Sequence, residues 1–390
     1  MRFEISRLAP AILWPVITIA CLTRPASGQE QEIALDTLPQ AGQAAGGLSS
    51  FDISGFGVAS FDYRSTTDEN SIAAGKLAVS VFKRAGPNFS FFGQLTTLFE
   101  EEPPGAPEEE PAEEGGHGPA AETEIDNLII SFTPPGAPEV NLWLGRFDAE
   151  VGFERDDEPL NLQPTTSFNF VFARPVKFTG LLARYTPMPT LSLAGFVVNG
   201  WDVAQDNNQG KTFGARVSLL PSEYSHLAIT GLIGPEKEDN TDDNRYLVSG
   251  DFTIQAARPL ILAGEFNYGS EENAAPDGGS ADWIGGLITG FVRLTRNFGV
   301  TARAEVFDDR DGSRTGEPRT LQSYTIAPML FFRTAVAGIF NTVPHTSFTL
   351  PQFALRAGIR RNISNNPFFA GEGDLQERET RLVVEGIFIY

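Results

Sequence analysis

Cysteine, histidine and basic side chains are scarce in this chain of 390 residues, which has one Cys, three His and 29 basic against 50 acidic side chains. A single thiol excludes a disulfide-built scaffold and an iron–sulfur or thiolate zinc centre, since each needs several cysteines. The formal charge of -21 argues against nucleic acid as a partner, because phosphate binding needs an excess of Lys and Arg. With 41% hydrophobic residues, the chain is nevertheless too apolar to be disordered.

Long apolar runs are also missing beyond the first 28 residues. An apolar stretch over residues 8–22 follows two arginines, and small side chains at 26–28 suit a signal peptidase. We therefore expect a cleaved signal peptide at 1–28, so that the chain is exported, and a short periplasmic segment at 29–50. Nothing later approaches the about 20 consecutive apolar residues that a membrane-spanning helix needs. If this chain lies in a membrane, it crosses as strands.

From residue 52 onward, apolar and polar residues alternate with a period of two, in segments of roughly ten residues. The last segment shows the pattern best, with Leu382, Val384, Gly386, Phe388 and Tyr390 on one face. This length is what a tilted strand needs to cross a bilayer. Sixteen strands are predicted, approximately at 52–64, 73–84, 88–99, 123–133, 139–148, 178–186, 190–199, 211–220, 225–234, 245–255, 260–269, 282–294, 298–308, 320–332, 352–362 and 378–390.

The connections between these segments alternate between long and short, and the short ones are rich in Pro and Gly. Only the connection 333–351 is long where a short turn is due. A β-sandwich gives no reason for this alternation, whereas outer-membrane barrels have long loops at one rim and tight turns at the other. The sequence therefore predicts an all-β fold, an antiparallel up-and-down transmembrane β-barrel of about 16 strands over residues 51–390.

Closure of the sheet follows from the solvent, because unpaired backbone groups at an open edge would cost several kcal/mol each in hydrocarbon. The strand that ends at Tyr390 must then pair with the first strand. All seven tyrosines lie near predicted strand ends, where aromatic girdles form. About sixteen strands leave a lumen too wide for side chains to fill. The interior should hold water, which favours a porin, a passive diffusion channel for small hydrophilic solutes or ions.

Several short motifs occur in an order that resembles one family. The most specific pieces read Asn-Gly-Trp-Asp and Gly-Lys-Thr, and they comprise Asn199, Gly200, Trp201, Asp202, Gly210, Lys211 and Thr212. They are similar to the signature of the putative β-barrel porin-2 (OmpL-like) family of Gram-negative outer-membrane proteins. The resemblance implies a passive channel without a cofactor. Two positions depart from it, because Phe178 stands where a His is usual and Gly358 where an acidic residue is common.

Charged residues on the inward face of the strands are candidates for setting selectivity. An arginine that faced lipid at mid-bilayer would destabilise the barrel by about 2–4 kcal/mol. The charged residues at alternating positions of the strands should therefore point into the lumen. The alternative is that some of them form ordinary ion pairs across the wall. The pore-lining candidates are Arg184, Arg216, Arg303, Glu305, Arg356, Arg360, Arg381 and Glu385.

The connection 149–177 differs from the other long loops because it carries several phenylalanines as well as acidic residues. It therefore has apolar surface to bury. We hypothesise that it folds into the pore and forms a charged constriction opposite the wall arginines. A loop packed over the barrel mouth is the alternative. The constriction candidates are Glu150, Glu154, Asp156, Asp157 and Glu158.

The connection 100–122 is rich in Glu and Pro and lies within a stretch, between Arg84 and Arg146, that has no Lys or Arg. Such a segment cannot bury apolar surface, so we expect a disordered, solvated extracellular loop. A second interpretation is a vestibule that collects cations, because concentrated charge raises the local concentration of counter-ions.

Enzymatic and metal-binding motifs are incomplete, so we expect neither catalysis nor a cofactor or metal. Gly210-Lys211-Thr212 resembles the end of a phosphate-binding loop, but Gln205 stands where that loop needs glycine. A hydrolase using His226 and a surface adhesin or scaffold without an open pore are the alternative functions. The expected partners are outer-membrane lipid, small solutes and the assembly machinery, which would read the strand ending at Tyr390. A homotrimer is one assembly that the sequence leaves open, since sixteen-stranded channels are often trimers.

Overall fold

The structure, a computed structural model, describes residues 51–100, 120–222, 225–257, 259–332, 352–371 and 373–390. The expected signal peptide at 1–28 and periplasmic segment at 29–50 lie outside these ranges. So do residues 101–119 of the acidic connection and the unexplained connection 333–351.

The described residues form sixteen strands, and the predicted all-β fold is confirmed. Each strand begins and ends within about four residues of its predicted bounds; the largest difference is at the second strand, which begins at Glu69. The strands are β1 (Asp52–Arg64), β2 (Glu69–Arg84), β3 (Phe89–Glu100), β4 (Ala120–Phe132), β5 (Val140–Asp148), β6 (Lys177–Met188), β7 (Leu191–Val198), β8 (Thr212–Ser222), β9 (Ser225–Pro235), β10 (Asn244–Ala257), β11 (Leu260–Glu271), β12 (Ala281–Arg293), β13 (Phe298–Asp309), β14 (Arg319–Phe332), β15 (Phe353–Ser364) and β16 (Arg378–Ile389).

Every strand pairs antiparallel with its neighbours in sequence, and β1 pairs with β16 to close the barrel. At this seam the Gly55 N–H donates to the Tyr390 carbonyl over 3.1 Å, and the Tyr390 N–H donates to the Gly55 carbonyl over 3.0 Å. A Cβ on Gly55 would lie 2.2 Å from the carbonyl oxygen of Ala78, so only glycine permits this close approach. Closure leaves no unpaired edge in the described sheet, as the sequence predicts.

The two faces of the barrel wall differ in polarity. On β13, Val306 points outward and is 43% exposed, whereas Arg303 points inward and is 3% exposed. The same alternation gives an outer surface of Leu, Ile, Val and Phe with several tyrosines, as an outer-membrane barrel requires. Among the described residues, no helix is both long and apolar enough to span a membrane.

The barrel interior contains the connection between β5 and β6, residues 149–176, which we call L3. L3 has a 3₁₀ turn at Glu158–Leu160 and a short π-helical turn at Asn169–Ala173. Phe168 and Ala173 of L3 belong to a buried apolar cluster with inward-facing aromatic residues such as Trp283 and Phe307. The apolar surface of L3 is thus buried inside the barrel.

Candidate functional site

L3 crosses the lumen and makes hydrogen bonds to inward-facing side chains of strands on the far side. The carbonyl of Glu150 accepts from Arg216 on β8, over 3.1 Å. Further along, the Phe153 N–H donates to Glu265 on β11 and the Phe168 N–H to Glu305 on β13, both over 2.6 Å. The loop is therefore fixed to the wall along its length.

Three wall arginines hold L3 by its backbone carbonyls. Arg303 donates to Thr165 over 2.7 Å, Arg356 donates to Asn161 over 2.5 Å, and Arg360 donates to Thr166 over 2.5 Å. A guanidinium presents five donors in a fixed fork, so it can bind several acceptors at once. Arg303 and Arg356 also form ion pairs, with Glu154 of L3 and Glu385 of β16 respectively.

Four of the five predicted acidic side chains of L3 form ion pairs with cations of the wall. Glu150 forms an ion pair with Arg184, and Glu154 forms one with Arg303. Asp156 and Glu158 lie 3.7 and 3.5 Å from the ammonium nitrogen of Lys76, and Asp157 accepts from Gln94 over 2.9 Å. These contacts bring the five predicted loop residues against the wall, at several places around the barrel.

Two lysines that were not among the predicted site residues also join this network. Lys177 Nζ lies 2.5 Å from both Asp126 and Asp148, and 3.2 Å from Asp156 of L3. Lys76 shares the inward parity of Ala78 and Ser80 on β2, and that parity is the signal that could have identified it. Acidic groups therefore outnumber the lysines on the β2–β6 side of the lumen.

The eight predicted pore-lining residues all have inward parity. Seven are at most 5% exposed, because L3 covers this part of the wall. Arg381 is partly exposed and forms an ion pair with Asp62 on β1. Of the eight, Arg360 and Arg381 border an open cavity.

This cavity has a volume of about 300 Å³ and lies between L3, the connection L8 (residues 365–377) and strands β15, β16 and β1. Its polar side contains three arginines and one carboxylate, that of Glu379, and its apolar side contains four phenylalanines. The lining comprises Arg64, Arg360, Arg381, Asn362, Glu379, Thr166, Ser167, Phe168, Val171, Phe172, Phe368, Phe369 and Ala370.

The residues that carry the family motif anchor loops at the rim. Asp202 accepts from the N–H groups of Val176 and Lys177, over 2.7 and 2.8 Å, and so fixes the end of L3. Trp201 N–H and the Thr212 hydroxyl both donate to Glu236, over 2.7 and 2.5 Å. In addition, Lys211 forms an ion pair with Asp206. The motif thus ties the connection 199–211 to L3 and to the connection 236–243.

The two departures from the family pattern have physical explanations. Phe178 packs between Phe147 and Phe196, with ring centroids 6.3 and 5.6 Å away, in an apolar stack that suits phenylalanine. Gly358 faces inward, and a Cβ there would lie 2.7 Å from Pro164 of L3. The ring of Pro164 therefore fills the space that an acidic side chain would need.

Burial raises the pKa of the Glu236 carboxyl to about 7, from an ordinary value of 4.5. Between pH 4.5 and about pH 7, the folded protein therefore binds more protons than the unfolded chain. This contribution to stability is complete below pH 4.5 and is lost as the pH rises through about 7.

We predict that Glu236→Gln weakens the pH dependence of stability. The neutral amide does not titrate, its one oxygen can still accept from the Trp201 N–H, and its NH2 group can donate to the Thr212 hydroxyl. Thermal unfolding followed by circular dichroism should show the wild-type unfolding temperature falling between pH 4.5 and 8 by more than that of the variant. Parallel pH profiles for the two proteins would contradict the prediction.

One further candidate residue, the base of the alternative hydrolase, can be located. His226 lies on the inner wall, where its Nδ1 is 3.5 Å from Asp251. Within the described ranges, no group of three or more His, Cys, Asp or Glu residues is arranged to hold a metal ion.

Comparisons with known proteins agree with this architecture. A family model described as "putative beta-barrel porin-2, OmpL-like" matches residues 101–390. No curated protein matches the chain.

Among solved structures, the chain is similar to an anion-selective porin from Comamonas acidovorans, with TM-score 0.58, 10% identity, and 87% of this chain and 99% of that chain covered. It is also similar to OmpF of Salmonella typhi in complex with daunomycin, with TM-score 0.59, 9% identity, and 87% of this chain and 97% of that chain covered. A third similar structure is OmpT of Vibrio cholerae in its trimer form, with TM-score 0.55, 7% identity, and 87% of this chain and 99% of that chain covered. These identities show a shared fold. Since the family model covers most of its length, the chain belongs to the putative β-barrel porin-2, OmpL-like family.

Proposed function

We propose that this protein is an outer-membrane porin that lets small hydrophilic solutes or ions diffuse through a water-filled lumen narrowed by L3. The observation that carries the proposal is the position of L3, whose acidic side chains face wall cations inside a closed barrel. A charged constriction selects solutes by size and charge. The eight wall residues and five loop residues identified from the sequence would set that selection, the seven buried wall residues by holding L3 in place and by their charge.

The proposed location is the outer membrane of a Gram-negative bacterium, reached by way of the signal peptide at 1–28. The apolar outer face of the barrel and the family membership support it. The assembly machinery would recognise β16 with Tyr390. A homotrimer is the proposed assembly, because a solved protein of the same fold is described as a trimer.

Liposome swelling tests the channel function. Proteoliposomes should swell with small neutral solutes and more slowly as solute size increases, because L3 limits the cross-section. Protein-free liposomes and heat-denatured protein are the controls. Absence of swelling with every solute, together with absence of single-channel current, would contradict a porin.

A barrel without an open pore, acting as a surface adhesin or scaffold, is the second candidate. The observation that favours it is the near-complete burial of seven charged wall residues beneath L3. The swelling assay separates the two functions, since a closed barrel conducts no solute.

The segment 101–119 carries seven glutamates, and we predict that its deletion reduces cation preference. Removing the negative charge lowers the local cation concentration, an effect that salt screens. Measured in a salt gradient, the reversal potential of the deletion variant should indicate a weaker cation preference than that of the wild type at low salt. At high salt the two reversal potentials should differ little. Reversal potentials that stay the same at low salt would favour a merely solvated loop.

A further inference from the structure

Strand register places three arginines side by side on the inner wall near the loop rim. Arg360 of β15 lies directly opposite Arg381 of β16, and Arg381 lies opposite Arg64 of β1. Like charges at directly opposed positions destabilise a sheet unless anions neutralise them. Such a row is therefore expected to attract negative charge.

Protein carboxylates neutralise this row only in part. Asp62 pairs with Arg381, while Glu305 lies 3.1 Å from Arg360 and is shared with Arg303 at 3.4 Å. Among the described residues, no carboxylate lies within ion-pairing distance of the Arg64 guanidinium, which is exposed and borders the cavity. Arg64 thus has donors to offer a bound anion.

The opposite side of the same cavity is aromatic. Phe168 and Phe172 of L3 have ring centroids 6.4 Å apart. They contact Phe369 and Phe368 of L8, with centroid distances of 6.3 and 6.1 Å. The guanidinium carbon of Arg360 lies 4.5 Å from the Phe168 ring. The basic and aromatic walls therefore meet within the reach of one small molecule.

We propose that this cavity is a binding site for a small aromatic carboxylate, at the outer side of the constriction. The carboxylate would accept hydrogen bonds from Arg64 and Arg381, because guanidinium donors match a carboxylate in a bidentate geometry. The ring would pack on the phenylalanines of L3 and L8. The volume of about 300 Å³ lies at the lower end of the range for small-molecule pockets, about 300–1,000 Å³. The inference rests on the proposed function in that the bound molecule would be a solute about to cross the constriction.

Benzoate binding to the purified full chain in detergent, measured by calorimetry, tests the site without requiring conduction. Acetate keeps the charge without the ring, and benzamide keeps the ring without the charge. We expect benzoate to bind at least about tenfold more tightly than either. Equal affinity for benzoate and benzamide, or no heat of binding with benzoate, would overturn the proposal.

Arg64→Gln should weaken benzoate binding about tenfold, because a donor to the carboxylate is lost. Phe368→Leu should weaken benzoate binding more than acetate binding. Arg361→Gln is the matched control, since Arg361 neighbours Arg360 on β15 but is exposed on the outer face, and its benzoate affinity should equal that of the wild type. Unchanged affinity in folded Arg64→Gln protein would overturn the site.

The two proposals can fail separately. Swelling with neutral solutes but no benzoate binding would leave the porin and remove the aromatic-carboxylate site. Benzoate binding without swelling or current would keep the site and remove the channel.

Discussion

Deletion of residues 156–172 is expected to raise the single-channel conductance severalfold. This deletion removes the part of L3 that occupies the lumen, so the cross-section available to ions increases. It also removes Asp156, Asp157 and Glu158 while Arg303, Arg356 and Arg360 remain on the wall. The reversal potential should therefore shift towards anion preference. Planar-bilayer recordings measure the conductance in symmetric salt and the reversal potential in a salt gradient across the bilayer.

The matched control is deletion of residues 274–279, which lie in the exposed connection between β11 and β12 at the same rim. This shorter loop should leave conductance and selectivity unchanged. An unaltered conductance in the 156–172 deletion, with a folded barrel, would end the constriction hypothesis.

Arg303→Met is expected to destabilise the folded barrel strongly. The Arg303 side chain is fully buried, and its loss leaves Glu154 as a buried carboxylate without its cation. Removing one partner of a buried ion pair costs about 3–5 kcal/mol. The variant should unfold at a lower temperature and conduct with larger fluctuations, because L3 also loses the anchor at Thr165.

A second substitution tests the cause of this loss. Glu154→Gln combined with Arg303→Met should recover part of the stability, since the uncompensated charge is gone. Arg361→Met, at an exposed outward position, should change stability by about 0.5 kcal/mol or less. If the double variant were as unstable as the sum of both single variants, the ion pair would not be the reason.

The strands of this fold could be predicted because period-two alternation and turn residues are local signals. The parity of Arg303 and Glu305 on β13 was readable in the same way, since Val300 and Val306 mark the opposite face. On β1, Phe56 and Val58 are apolar although they share the inward face with Ser54, because they pack against Ile387 and Ile389 across the seam. That partnership joins the two ends of the chain, so no local pattern could indicate it.

The site was less accessible to sequence reasoning. The phenylalanines of L3 showed that the loop needs an apolar partner, but its partners come from many strands. Hydrogen bonds from arginines to backbone carbonyls, such as that of Asn161, cannot be predicted from residue types, because every residue has a carbonyl. The cavity next to Arg64 likewise depends on L8, which lies some 300 residues away along the chain.

The seam has a consequence for how the molecule forms. Arg381 and Asp62 meet there across 319 positions of sequence, one of the longest separations that this chain can span. Pairings between such distant segments form late, because chain entropy opposes them until other contacts hold the ends together. L3 makes hydrogen bonds or ion pairs with strands from β2 to β15. It is therefore positioned to act as an internal template that brings the wall strands together before the barrel closes. Refolding of the 156–172 deletion should accordingly be slower than that of the wild type, even where the final barrel is the same.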